Sequence, residues 1–262
     1  MKLRCNFSFR KPFFAFGLGL LGLLSLGVEA IAQDRIQYRD GKVEDTKILS
    51  ADGSNVMVQV GGGGSMGKPL ATIAAVTMKA PEEVAAMQAA VAAKDYAKAL
   101  PLAQGLAEKY KGLPTPWARQ SASLVGDIQV ALGKLKEAEA AYKEYQRLYP
   151  AAAGAFSQTD VGMARIAIAQ KKYDEAKKKL DPIAEAALKS KAPASGKGAV
   201  YNLFSQAFLL LGQIAEAQEQ PDVALENYLR TVTLFSDDPA SVAAAQEKAK
   251  TLREQNPSLT AP

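Results

Sequence analysis

The spacing of apolar residues changes at about residue 80, and the change predicts two kinds of structure. Before this point apolar and polar residues alternate, so that Val56, Val58 and Val60 share one face of an extended strand. After it, apolar residues recur every three or four positions, which is the period of amphipathic helices. The predicted parts are a small β-module over 33–80, a helical repeat domain over 81–254 and a disordered tail over 255–262.

Turn signals in the β-module predict short strands. Asp40-Gly41 and Asp52-Gly53 are typical of tight turns, and a glycine run at 61–64 predicts a flexible or bulged connection. The predicted strands lie near residues 35–39, 43–50, 55–60 and 71–78. Strands this short, within about 45 residues, favour a small barrel-like module.

The helical part repeats a hairpin pattern that is clearest over residues 122–150. There a first helix stops at Gly133 and a second stops at Pro150. An alanine with a large residue three positions before it marks the second helix of each repeat, at Tyr96 and Ala99, Leu135 and Ala138, Tyr173 and Ala176, and, with proline in the large position, Pro221 and Ala224. The alanines are 39, 38 and 48 residues apart. About four helical hairpins are therefore predicted, with a capping helix over 239–254.

The hairpin over 122–150 resembles a tetratricopeptide repeat (TPR). The resemblance rests on the small residue Gly126, the turn residue Gly133, Ala138, the aromatic Tyr142 and the closing Pro150. Weaker copies of the pattern extend it over about 170 residues. The resemblance implies a mainly α fold, a right-handed α-solenoid of about four TPR-like hairpins, preceded by the small β-barrel-like module.

The TPR resemblance also implies a concave groove, lined by the second, fifth and ninth positions of each first helix. These positions hold Gln120, Ser123 and Asp127, then Gln158, Val161 and Arg165, then Gln206, Leu209 and Gln213. Glutamine recurs at the second position, which suggests amide groups that bind an extended peptide backbone. The other interpretation is that glutamine is a tolerated surface residue. The Lys and Asn with which the family clamps a C-terminal carboxylate are missing here.

The β-module offers a second interpretation. The run DGKVEDTKILSADGSNVMVQV is similar to the centre of SH3-like and Sm-like folds, and an Sm-like fold implies RNA binding. Few aromatic residues are available to stack bases, which favours a packing or interaction module. A glycan- or nucleic-acid-binding module centred on this segment is therefore the alternative function, and nucleic acid is not the expected partner.

The residue inventory limits the chemistry of the chain. It has no histidine, and its one cysteine, Cys5, lies near the N-terminus, so Ser-His and Cys-His catalysis are excluded. The carboxylates alternate with lysines along the helices, which is typical of a solvated face rather than a metal or acid-base site. We therefore expect no catalytic residue, no metal site and no cofactor, with a carboxylate enzyme as a third hypothesis.

Residues 1–32 have the pattern of a signal peptide. Basic residues precede an apolar run from Phe13 to Val28, and Ala30-Ile31-Ala32 predicts cleavage before Gln33. An uncleaved anchor is the alternative. Without the four basic residues and Glu29 of this segment, the net charge falls from +5 to +2, with 28 basic and 26 acidic residues.

The combined prediction is an exported, non-enzymatic protein–protein interaction scaffold of the periplasm or cell envelope. Its partner would be a protein or peptide bound in the groove, the mature chain would have no integral membrane segment, and a homo-oligomer is left open.

Overall fold

The computed structural model describes residues 34–152, 155–190 and 199–259. The strands are β1 (Asp34–Tyr38), β2 (Val43–Thr46), β3 (Ile48–Asp52), β4 (Asn55–Gln59), β5 (Ser65–Pro69), β6 (Ile73–Thr77) and β7 (Tyr110–Lys111). The helices are α1 (Glu82–Ala92), α2 (Tyr96–Lys109), α3 (Pro116–Ala131), α4 (Leu135–Leu148), α5 (Gln158–Ala169), α6 (Tyr173–Lys189), α7 (Ala199–Ala217), α8 (Pro221–Thr233) and α9 (Pro239–Gln255). A mainly α chain with a small N-terminal β-region is thus confirmed. The predicted signal peptide and its cleavage site lie outside the described residues.

The β-region forms two separate sheets, with strand orders β2-β1-β6 and β5-β4-β3-β7, and they are not closed into a barrel. The barrel-like prediction is therefore wrong. The predicted strand 43–50 divides, because β2 pairs with β1 whereas β3 pairs with β4. At the break, the N–H of Ile48 donates to the Asp34 carboxylate over 2.9 Å. Strand β5 was not predicted, since its sequence, SMGKP, has no alternation and pairing with β4 alone makes it a strand.

The β-region and the first helices share one hydrophobic core. Ile36 and Val56 from the sheets are fully buried in the same cluster as Met87 of α1 and Leu106 of α2. The short strand β7, between α2 and α3, runs parallel to β3 and extends its sheet. The change of pattern at residue 80 is therefore not a boundary in the fold, because one short strand follows it and the packing continues across it.

The helices form four hairpins, α1–α2, α3–α4, α5–α6 and α7–α8, with the same turn in each. The turn residue has a positive φ: 57° at Lys94, 72° at Gly133, 59° at Lys171 and 57° at Glu219. Five residues later in each hairpin comes an alanine with no exposed surface, at Ala99, Ala138, Ala176 and Ala224. The turns and the alanines therefore recur at the intervals of 39, 38 and 48 residues seen in the sequence.

Successive hairpins pack the second helix of one against the first helix of the next, as α2 does on α3 and α4 on α5. The first helices also contact one another, α3 with α1 and α5, and α7 with α5 and α9. One close contact is made by Tyr142 of α4, which is fully buried. A Cβ on Gly126 of α3 would lie 2.6 Å from the Tyr142 ring, and one on Gly162 of α5 would lie closer still. Both positions must therefore be glycine for the ring to fit between the two helices.

The contact recurs in the last hairpin. A Cβ on Gly212 of α7 would clash with the ring of Tyr228 of α8, which is also fully buried. The Tyr228 hydroxyl donates to Glu216 over 2.6 Å, and Glu216 pairs with Lys248 of α9 at 3.1 Å. A buried tyrosine and a following ion pair thus attach α9 to the hairpins before it.

Helix α9 matches the predicted capping helix to within one residue. The first residues of the predicted disordered tail are ordered, because Gln255 closes α9 and Leu259 packs against the cluster that contains Tyr228 and Leu252. Residues 260–262 lie outside the described part. No described helix is long and apolar enough to cross a membrane.

The positive φ at Lys171 gives a prediction for stability. An L-residue in the left-handed region costs about 1–2 kcal/mol, and glycine adds about 0.4–1 kcal/mol of freedom to the unfolded chain, so Lys171→Gly should raise the free energy of unfolding by about 0.5–1 kcal/mol. The matched reverse change is Gly133→Ala, where a Cβ meets no atom within 4 Å, so only backbone strain is added. It should lower stability by about 1 kcal/mol. Urea denaturation measures both, and a destabilised Lys171→Gly variant would contradict the shared turn.

Candidate functional site

A cavity of about 710 Å³ lies along the first helices α3, α5 and α7 and ends at the start of α9. We call it the groove. Each helix contributes side chains at helical spacing on one face: Gln120, Ser123 and Asp127 from α3, Gln158 and Arg165 from α5, and Asn202, Gln206 and Leu209 from α7. Arg119 of α3 and Asp238, which precedes α9, also line it. Two clefts of about 300 and 290 Å³ lie on the other side of first helices, one between α6 and α8 over α7, and one between α2 and α4 over α3.

Seven of the nine residues predicted for a groove line this one cavity. They are Gln120, Ser123, Asp127, Gln158, Arg165, Gln206 and Leu209. Val161 does not, because its side chain has no exposed surface and packs with α6 and α7, where burial of an apolar side chain contributes about 1.5–3 kcal/mol. Gln213 is half-buried but lies one turn beyond Leu209, outside the cavity.

The polar residues of the groove hydrogen-bond to one another across the first helices. Gln88 of α1 donates to Gln120 of α3 over 2.7 Å, and Gln158 of α5 donates to Gln206 of α7 over 2.9 Å. Arg165 also donates to Gln206, over 3.2 Å. We call this set the polar ladder, with members Gln88, Gln120, Asp127, Tyr142, Gln158, Arg165 and Gln206.

The centre of the polar ladder is an ion pair between Arg165 of α5 and Asp127 of α3. The two side chains are 20% and 24% exposed, and the Tyr142 hydroxyl donates to the same carboxylate over 2.5 Å. Burial raises the pKa of Tyr142 above its ordinary value, and the Asp127 charge adds to this effect. Burial lowers the pKa of Arg165, but the charge and hydrogen-bond contributions of Asp127 and Tyr142 together outweigh it and leave that pKa above its ordinary value. The phenol stays neutral and the guanidinium charged near neutral pH.

The groove can therefore offer amide, hydroxyl and guanidinium groups for hydrogen bonding. Its tyrosine and arginine titrate too far from neutral pH for proton transfer. Within the described ranges, no three His, Cys, Asp or Glu side chains gather where they could hold a metal ion. The arrangement is suited to binding a polar, extended ligand.

The sequence did not identify Gln88, Tyr142, Arg119 or Asp238 as part of the site. Gln88 lies 32 residues before Gln120, whereas the repeat interval there is 39, so the register does not indicate it. Tyr142 was predicted to be core. It is core, yet its hydroxyl reaches the Asp127 carboxylate at the groove. Tyr142 and Asp127 are 15 residues apart on two different helices, so no spacing within one helix indicates their contact.

Two cations of the β-region form ion pairs within it. Arg35 pairs with Asp45 at 2.7 Å, and Lys68 pairs with Glu44 at 3.1 Å, which joins β5 of one sheet to β2 of the other. The Tyr38 hydroxyl donates to the same Glu44 over 2.7 Å. Binding of a glycan or nucleic acid by this region stays a prediction.

No protein-family model matches the chain, and no curated protein matches its sequence. The function is therefore argued from the chemistry of the groove itself.

The ion pair of the polar ladder gives a second prediction. Arg165→Met leaves the Asp127 carboxylate with only the Tyr142 hydroxyl, and should lower the free energy of unfolding by about 2 kcal/mol. Adding Asp127→Asn removes the unpaired charge and should recover part of the loss. Arg253→Met, at an exposed position of α9, is the matched control. Urea denaturation of the wild type, Arg165→Met, Asp127→Asn and the double variant measures the coupling, and a double variant as unstable as the summed single variants would contradict it.

Proposed function

We propose that this chain is a non-enzymatic binding scaffold. Its four hairpins would stack as a right-handed TPR-like solenoid, and its groove would hold an extended segment of a protein or peptide. The observation that carries the proposal is the groove itself, a cavity of about 710 Å³ built by three successive first helices. Its volume is in the range of roughly 300–1,000 Å³ that is typical of ligand sites.

The lining favours a peptide over an apolar ligand. Glutamine side chains can both donate and accept hydrogen bonds, as can the N–H and C=O groups of an extended backbone. Leu124 and Leu209 add apolar surface beside them, which suits the side chains that alternate along such a segment. A lining of amide, hydroxyl and leucine side chains is suited to binding a peptide without catalysing a reaction.

The polar ladder favours binding because it holds the groove in shape without a ligand. Its hydrogen bonds join α1 to α3, α3 to α5 and α5 to α7. A groove that is already ordered loses less conformational entropy when a partner binds. The binding of even a short segment would then retain more of its interaction free energy.

The place of action is proposed from the sequence. The signal peptide pattern at 1–32 supports export, with the scaffold acting in the periplasm or cell envelope.

Ser123 gives the direct test of the groove. Its hydroxyl donates to the carbonyl of Gln120 in its own helix over 3.1 Å and takes no part in the polar ladder. Ser123→Trp should fill the groove, while Ser123→Ala should leave both fold and groove intact. The probe is a displayed library of random peptides, selected on the wild-type chain.

Selected peptides should bind Ser123→Ala as they bind the wild type, and lose about tenfold or more in affinity on Ser123→Trp. Fluorescence anisotropy measures the affinities, and circular dichroism checks that the Trp variant is folded. Failure to select any peptide, or equal binding to Ser123→Trp, would contradict the proposed function.

A further inference from the structure

We propose that the groove selects a dipolar segment, an extended peptide with an acidic side chain beside Arg119 and a basic side chain beside Asp238. The inference rests on the proposed function and adds the charge pattern of its ligand. It follows from which charges in the groove are paired and which are not.

Four charged side chains line the groove: Arg119, Asp127, Arg165 and Asp238. Asp127 and Arg165 neutralise each other in the polar ladder. Among the described residues, no ion pair involves Arg119 or Asp238. One positive and one negative side chain are thus left on two different walls of the cavity, one from α3 and one from the start of α9.

Arg119 does not stabilise its own helix electrostatically. It lies in the first turn of α3, where a cation opposes the helix dipole, at a typical cost of about 0.3–1 kcal/mol. Thr115 already caps this end of the helix. The guanidinium lies over the ring of Tyr149, 5.1 Å from its centroid, and burial keeps the Tyr149 ring neutral by raising its pKa to about 12. A guanidinium in a cation–π contact can still donate its N–H groups to a carboxylate.

Asp238 is also not explained by its helix. It occupies the N-cap position of α9, yet its side chain accepts no hydrogen bond from the backbone of that helix. Its Oδ2 instead accepts from the Ser241 hydroxyl over 2.5 Å, and Ser241 is another residue of the groove. The carboxylate is therefore held at the wall of the groove, with its Oδ1 left for a cationic ligand group.

Helices α5 and α7, which link α3 to α9 in the order of helix contacts, bring uncharged groups to the groove. Ser123, Gln158 and Gln206 present hydroxyl and amide groups, and the charges of the central ion pair cancel. A charge in the middle of a ligand would lose water without gaining a partner. The complementary segment is neutral in its middle, acidic toward one end and basic toward the other.

The test uses the peptides selected on the wild-type chain, resynthesised with blocked termini so that only side chains carry charge. Arg119→Gln and Asp238→Asn should each weaken binding by about fivefold, as expected for a half-exposed ion pair, and added salt should weaken wild-type binding. Asp238→Asn keeps an oxygen that accepts from Ser241, and Arg119→Gln removes a cation that opposes the dipole of α3, so both variants should fold. Arg253→Gln and Asp222→Asn, exposed and outside the groove, are the matched controls.

A charge exchange sharpens the result. Arg119→Glu should bind better when the acidic residue of the peptide is replaced by lysine. Peptides that Ser123→Trp displaces, but that bind Arg119→Gln and Asp238→Asn with wild-type affinity, would overturn the charge pattern and leave the proposed function standing. Peptides insensitive to Ser123→Trp, or a failed selection, would overturn both.

Discussion

The ring of Tyr142, held between Gly126 and Gly162, is the contact on which the groove depends. The ring can enter only because neither glycine has a Cβ, and its entry brings α3 and α5 close together along their first-helix faces. Its hydroxyl then reaches Asp127, which pairs with Arg165 of the neighbouring helix. A larger residue at either glycine would separate the helices and break this ion pair. The polar contacts of the groove therefore depend on the packing of the core. Tyr228 and Gly212 repeat it in the last hairpin.

The same arrangement explains why the groove is a binding surface. The glutamines predicted to bind a ligand form hydrogen bonds with other glutamines, and these bonds join neighbouring first helices. What remains for a partner is the second hydrogen-bonding capacity of these amides and the two unpaired charges, Arg119 and Asp238. The proposed scaffold therefore uses the polar ladder for structure and the margins of its groove for selectivity.

Repetition made the helical part predictable, because the turn and the alanine five residues after it recur together in all four hairpins. Seven groove residues followed from that register. The same register assigned Val161 to the groove wrongly, because this residue lies on the side of α5 that packs on α6 and α7, and only the tertiary contacts show that packing. The β-region was less predictable: β5 has no pattern of its own, and β7 is two residues that become a strand only beside β3. Gln88 lay outside the repeat interval, and the pairing of charges depends on distances that no sequence contains.

The most direct measurement of the central claim is a titration of the isotope-labelled chain with a selected peptide, followed by the side-chain amide signals of glutamine in nuclear magnetic resonance spectra. The account predicts that the signals of Gln120, Gln158 and Gln206 shift together and saturate at one affinity, while those of Gln104 in α2 and Gln246 in α9, both exposed and outside the groove, stay in place. Shifts confined to the β-region, or to Gln104 and Gln246, would contradict it.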